Sequence, residues 1–275
     1  MRVVVEIQGH LYQANMDCPL SVAIGLHFNG EQPNHFGVEQ AISKPLEIEG
    51  FVGDTRRGGS CNVSELRFIP HCNGTHTESC GHILDEPVSV GAIAPEQLLA
   101  AVLVSVTPVM SAETNDEYLP TPVKNDRLIT RAMLEEKLSD YPGEVLQAVL
   151  VRTLPNDRSK LTRRYGQDEE PAFFSMDALR YLNELGVQHL LTDLPSVDKM
   201  YDEGLLSNHH IFWQVAPGTH QLSEHTLRHK TITEMIFADE GIPDGSYLLN
   251  LQVPAFDSDA APSRPILYPL VELEK

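Results

Sequence analysis

The chain has 275 residues, 41% of them apolar and 21% charged, and its 39 acidic against 20 basic side chains give a net charge of −19. Acidity spread along the chain, with no long basic run, argues against nucleic acid and against an anionic membrane surface as partners. No stretch of 18 or more apolar residues occurs, so no transmembrane helix is expected.

The opening MRVVVEIQGH carries one Arg and a short apolar run with no cleavage-like continuation. It reads as a first strand and not as a signal peptide, which makes the cytoplasm the expected compartment. Cys18, Cys61, Cys72 and Cys80 then predict no disulfide framework. Asn62-Val63-Ser64 and Asn73-Gly74-Thr75 read as chance matches to the glycosylation triplet.

Residues 71–82, HCNGTHTESCGH, concentrate three histidines, a glutamate and two cysteines. His76 and Glu78 are two apart, so on a strand they project to one side. Imidazole and carboxylate together suit zinc, manganese or iron. His82 lies four residues beyond Glu78 and can return to the same place if the strand curves. His71 lies five before His76 and faces the other way on a regular strand. It joins only through a bulge or turn, for which CNG (72–74) is suitable sequence. A structural zinc site on Cys61, Cys72 and Cys80 is a competing reading, but no C-x-x-C pair supports it. Cys72 and Cys80 also fit as small buried apolar residues, and a catalytic cysteine would need a positioned base that the sequence does not reveal.

Farther along, PEQLLAA (95–101) predicts a short helix with Pro95 in its first turn. AVLVSV (101–106) and LQAVLVRT (146–153) read as buried strands. ITRAMLEEKL (129–138) has helical spacing, and segments 108–128 and 154–172 read as long surface loops. SMDALRYLNELG (175–186) predicts the clearest helix. Ser175 caps it, Asp177 suits its first turn, Leu179, Leu182 and Leu185 share a face, and Gly186 ends it. VQHLLTD (187–193) reads as a strand. SYLLNLQVPAF (246–256) and RPILYPLVEL (264–273) read as two β segments forming a hairpin around DSDAAPS (257–263). The mixed order predicts one α/β domain over 1–275 around a mixed, largely antiparallel, barrel-like sheet with flanking helices.

Two further segments carry candidate polar groups. SNHHIFWQ (207–214) sets His209 and His210 beside apolar residues. TITEMIFA (231–238) holds Glu234 alone in a β-rich apolar run, where burial is costly unless the carboxylate is paired or metal-bound. Taken by itself, Glu234 reads as a residue facing water on a half-exposed strand. His220, His225 and His229 read as loop residues without a role.

These pieces together resemble the cyclase family of metal-dependent hydrolases, which includes the bacterial kynurenine formamidases. HCNGTHTESCGH is similar to the family signature H-x-G-T-H-x-D-x-x-x-H. LGVQHLLTDLPSVD (185–198) is similar to its strand ending in a Ser-x-Asp loop, NHHIFW to its histidine segment, TITEMIF to its glutamate segment and RPILYPL to its closing strand. The resemblance spans roughly residues 45 to 270. It implies one or two divalent ions, Zn or Mn, and hydrolysis of amides, arylformamides being the best-known substrates. It also implies a small-molecule substrate and a homodimer or larger assembly. Carried over by position, His71, His76 and Glu78 bind a first ion, and Glu78 bridges to a second held by His209 and Glu234. His82 is then the general base or acid. His209 takes this place over His210 because of its distance to the apolar IFW.

Four departures stand out. CN separates His71 from GTH by one residue more than usual, Glu78 replaces an aspartate, SCG lacks the proline before the last histidine, and 214–230 reads as an inserted loop. The same residues also suit lactone or ester hydrolysis, or a non-catalytic protein with a structural metal.

Overall fold

The computed structural model describes residues 1–166 and 170–273, so residues 167–169 of the loop expected at 154–172 lie outside the described residues. The sheet's centre is parallel. Strands Leu99–Val106, Ala148–Thr153, His189–Thr192 and Thr231–Glu234 lie side by side in that order. Antiparallel strands extend it on both sides. Gly245–Asn250, Ile266–Glu272, His10–Asn15 and Arg2–Ile7 follow in one direction, and His76–Glu78 and Ala260–Pro262 in the other.

The order of these strands forces curvature. Ala260–Pro262 ends the path on one side, yet only residues 263–265 separate it from Ile266–Glu272, seven strand positions away. In a flat sheet that is about 34 Å at the usual strand spacing, whereas four Cα steps reach about 15 Å. The sheet therefore curls into a barrel-like trough. Leu20–Ser21 pairs with Leu267 and Ile266, and Ala23 bridges to Ile236, which draws the two sides together.

Both faces of the central strands are apolar, which suits strands covered on both sides. Leu99, Ala101, Leu103, Leu150, Leu191 and Leu249 pack in one buried cluster with Val22 and Ile236. Ala100, Val102, Val104, Val149, Val151 and Leu190 alternate onto the other face. There they meet the helices Arg131–Leu138 and Met176–Glu184 through Leu134, Leu138, Leu179 and Leu182. Each helix begins on the hydroxyl expected of a cap: Thr130 accepts from Met133 N–H and Ser175 from Ala178 N–H.

Three expectations need correction. Residues 95–101 form no helix; the helical turn lies earlier, at Val90–Ile93, and Leu99 already belongs to the central strand. Ladder pairing on both sides and burial of Leu99 and Ala101 override the local preference of this stretch. The strand expected at 246–256 stops at Asn250. The DSDAAPS stretch is no simple hairpin loop, because Ala260–Pro262 leaves to pair with His76–Glu78, although the flanking strands do pair antiparallel, Tyr247 opposite Pro269.

Two buried polar features anchor the central strands. Lys160, 5% exposed, donates to Asp193 at 2.7 Å, to the Thr153 carbonyl at 2.7 Å and to the Thr153 hydroxyl at 2.9 Å. Asp193 also accepts from Thr153 N–H at 2.9 Å. His189 opens its strand with Nδ1 2.8 Å from the Thr231 hydroxyl. Burial, with His229 and Lys230 nearby, lowers His189 from 6.5 to about 4. Its folded value lies below its unfolded one, so its contribution to stability is complete above about pH 6.5 and is lost as pH falls toward 4. Between pH 7 and pH 5 that contribution drops by about 2 kcal/mol. Urea midpoints measured at both pH values are expected to fall further for the wild type than for His189→Asn, at similar slope.

Candidate metal centre

The strand His76–Glu78 sits between Thr231–Glu234 and Ala260–Pro262, antiparallel to both. Period-two alternation turns His76 and Glu78 to one face and Thr77 to the other, where its hydroxyl meets that of Thr233 at 2.8 Å. Register places Glu234 opposite His76, with Oε2 3.4 Å from His76 Nε2. Glu234 is 3% exposed, so its expected position facing water is wrong. Strand pairing carries it inward and Val197 N–H donates to its Oε1 at 2.9 Å.

His71 reaches the same place by a helical turn, Pro70–Asn73, and not by the expected bulge at CNG. Asn73 Oδ1 accepts from Ile69 N–H at 2.6 Å and fixes the turn. His71 Nδ1 then lies 3.0 Å from Glu78 Oε2, and Nε2 lies 2.8 Å from Asp259 Oδ2. His82 returns on a tight turn over Cys80–Ile83, capped by Ser79. Gly81 permits that return, since a Cβ there would stand 2.6 Å from the Val88 carbonyl oxygen. The His82 ring stacks 4.3 Å from His71, with Nδ1 3.5 Å from Asp259.

His209 comes from the helix Ser207–Trp213 that covers this end of the sheet. Its Nδ1 lies 2.5 Å from Asp198 Oδ2 and its Nε2 2.9 Å from Glu78 Oε1 and 3.8 Å from Glu234 Oε1. Its neighbour His210 turns away, with Nδ1 3.2 Å from the Val215 carbonyl oxygen. The fold thus gathers His71, His76, Glu78, His82, His209 and Glu234. Among the described residues, three compact donor triplets result: His71–His76–Glu78, Glu78–His82–His209 and His71–His82–Asp259. Glu234 stands beside His76 and His209 but in none of the triplets.

The hydrogen-bond balance shows what this nest lacks. His76 Nδ1 lies 3.0 Å from the Gly74 carbonyl oxygen, which can only accept, so the proton sits there and Nε2 presents a lone pair. Among the described residues that Nε2 is buried without a hydrogen-bond partner, and Glu78 Oε2 has only the His71 ring, at 3.0 Å, beside it. A bare lone pair in a dry interior is costly, and a cation held between it and the Glu78 carboxylate satisfies it. The donor set therefore fits a divalent ion.

Electrostatics point the same way. Burial pulls His71 down, but hydrogen bonds to Asp259 and Glu78 outweigh it and raise the group to about 10. Burial likewise opposes a proton on His209, yet the Glu78 charge and the Asp198 hydrogen bond hold it well above the usual range. Glu78 is pushed up by burial and pulled further down by His82 and His209. Hydrogen bonds from His71 and His82 hold Asp259 far below the carboxylate range. Protons on His71 and His209 occupy the positions a metal cation competes for. The cysteines offer no rival chemistry here, because burial pushes Cys72 to about 11 and raises Cys80 as well.

Two participants went unassigned in the sequence: Asp259, inside the stretch read as a hairpin loop, and Asp198, at the end of the Ser-x-Asp loop. Asp198 holds His209 by its ring and accepts from the backbone N–H of Asn208 at 2.8 Å and from Tyr118 Oη at 2.8 Å. A carboxylate on the outer nitrogen fixes tautomer and orientation, and such partners are worth about 10–100-fold in metal affinity. Asp198→Asn is expected to weaken zinc binding by about that factor, read by competition against a chromogenic chelator.

The nest opens on a cavity of about 90 Å³ lined by His35, Phe36, His71, His82, His209 and Glu234. A larger groove of about 650 Å³, around His210, Ile211 and Gln214, shares none of the cluster's residues.

The sequence profile of a family described as putative cyclase matches residues 16–199. The kynurenine formamidase of Bacillus mycoides strain KBAB4 is 24% identical over 249 residues, which covers 83% of this chain and 96% of that protein. The kynurenine formamidase of Bacillus cereus strain ATCC 10987 is 25% identical over 242 residues, with the same coverage. Two solved structures share the fold. Isatin hydrolase A from Labrenzia aggregata, bound to benzyl benzoate, aligns with TM-score 0.60 at 14% identity over 91% of this chain and 93% of that one. A structure described as a predicted metal-dependent hydrolase from Bacillus stearothermophilus aligns with TM-score 0.57 at 16% identity over 91% and 98%.

Proposed function

This chain belongs to the putative cyclase family, and on that premise we propose that it is a metal-dependent hydrolase cleaving the C–N bond of a small amide of the arylformamide type. The observation that carries this reading is the buried His76 Nε2 lone pair, without a hydrogen-bond partner among the described residues, in a nest with the Glu78 carboxylate. His71, His76, Glu78, His209 and Glu234 would hold the metal, with Glu78 aiming one oxygen at His71 and the other at His209. A divalent ion, Zn or Mn, supplies Lewis acidity toward a carbonyl and lowers the pKa of water.

The chain's own residues supply the rest. His82 is half-buried at the cavity and belongs to the side of the nest nearest Asp259. It takes the proton of the attacking water and returns it to the leaving nitrogen as the C–N bond breaks, a positioned transfer worth about 10²–10⁴-fold. Asp259 orients the His82 and His71 rings from outside, as Asp198 orients His209. Phe36, Met200 and Leu206 on the cavity wall exclude water from the reacting amide.

His82→Ala is expected to keep its metal, by elemental analysis, and to lose about 10²–10⁴-fold in turnover of formanilide. A wild type that binds metal yet cleaves no arylformamide, ester or lactone leaves the non-catalytic reading, a cyclase fold with a structural metal. We further read residues 1–275 as one domain acting on a small molecule and, from the family resemblance, assembling as a homodimer or larger oligomer. Light scattering at micromolar concentration tests the assembly.

A further inference from the structure

A buried ring with no hydrogen-bond partner costs stability, so it needs a reason. His35 is such a ring: 3% exposed, with neither Nδ1 nor Nε2 partnered among the described residues. Its place is built. The His35 N–H donates to the Cys72 carbonyl at 3.0 Å, which ties it to the helical turn that carries His71. The Tyr165 ring stands edge-on with centroids 6.4 Å apart.

The next residue holds strain. Phe36 has φ +61°, a left-handed conformation that a bulky side chain adopts only when its surroundings impose it. This twist lays the Phe36 ring over His35, centroids 3.9 Å apart, and leaves it 53% exposed. Tyr201 flanks it at 6.3 Å. His35 and Phe36 line the same small cavity as His71, His82, His209 and Glu234. An orphaned imidazole and a strained aromatic residue therefore form one wall of the candidate metal pocket, on a segment that gives the donor set nothing.

We propose that His35 is a substrate-binding residue whose ring hydrogen-bonds an uncharged amide group of the substrate while the planar part of that substrate lies against Phe36. This rests on the hydrolase reading above and adds to it the residue that selects the amide. A neutral imidazole offers one N–H and one lone pair, which complements the C=O and N–H of an amide. A purely apolar ligand would leave both nitrogens as stranded as they are now.

The zinc-loaded protein is titrated calorimetrically with benzamide, and with ethylbenzene as the apolar control. His35→Leu is expected to weaken benzamide at least tenfold, leave ethylbenzene and zinc content unchanged, and raise the melting midpoint because the stranded nitrogens are gone. His35→Gln, which again offers a donor and an acceptor, is expected to recover most of the benzamide affinity. Equal benzamide affinity in wild type and His35→Leu overturns the proposal, as does a wild type that does not bind benzamide. Loss of zinc or of the fold in His35→Leu makes the residue structural and overturns it too. Formanilide turnover of the same wild-type preparation is read alongside: absent turnover with the benzamide pattern intact removes the hydrolase reading alone.

Discussion

Glu78→Gln is expected to leave a folded protein that neither takes up zinc nor turns over an arylformamide. Glu78 is wholly buried, and each of its oxygens faces a different histidine, Oε1 to His209 at 2.9 Å and Oε2 to His71 at 3.0 Å. The amide substitution keeps the volume but removes the one charge common to both halves of the nest. Loss of a hydrogen-bond partner to a metal ligand already costs about 10–100-fold in metal affinity, so loss of a ligating charge is expected to cost at least about 10²-fold. Elemental analysis of protein dialysed against micromolar zinc reads the loss directly. Glu78→Asp separates charge from reach. It keeps the charge on an arm one methylene shorter, so an intermediate affinity is expected; metal content equal to that of Glu78→Gln would make length the deciding factor.

Lys160→Met is expected to be the most destabilising change away from the metal nest, by about 3–5 kcal/mol. It strands Asp193, whose carboxyl burial already pushes upward against the opposing pull of Lys160. It also removes two donors from Thr153, on the strand that runs through the middle of the sheet. The double variant Lys160→Met with Asp193→Leu removes both charges together, and recovery of much of the loss is expected, because an apolar pair of similar volume replaces a buried ion pair at little cost. Urea denaturation of the two variants beside the wild type checks both statements. A Lys160→Met unfolding free energy within about 0.5 kcal/mol of wild type, the range of ordinary surface changes, would sink the argument.

What could be read from the sequence follows the range over which each residue is determined. The pair His76–Glu78 depends only on strand alternation, and the helix over 176–184 only on its cap and its leucine stripe. Both are local and both were legible. His71 depends on whether four residues form a bulge or a helical turn, and local sequence allowed either. Glu234 taken by itself reads as facing water, because its burial comes from pairing with a strand more than 150 residues earlier, a register no local pattern encodes. Asp259 and Asp198 left no signal of their own. Each acts through the outer nitrogen of a histidine that the fold alone brings to it. The helix expected at 95–101 failed for a related reason: two neighbouring strands claimed Leu99 and Ala101.

The tight link at 263–265 has a consequence for when the candidate metal nest can be completed. Asp259 meets His71 across 188 residues of sequence, and the strand that precedes the link must dock against His76–Glu78 before the nest has its outer wall. Contacts of such long sequence separation form late, after their loop-closure entropy has been overcome. A chain still emerging from the ribosome therefore holds His71, His76 and Glu78 without their last neighbour, and the outer wall of the nest closes only when the strand Ala260–Pro262 has docked.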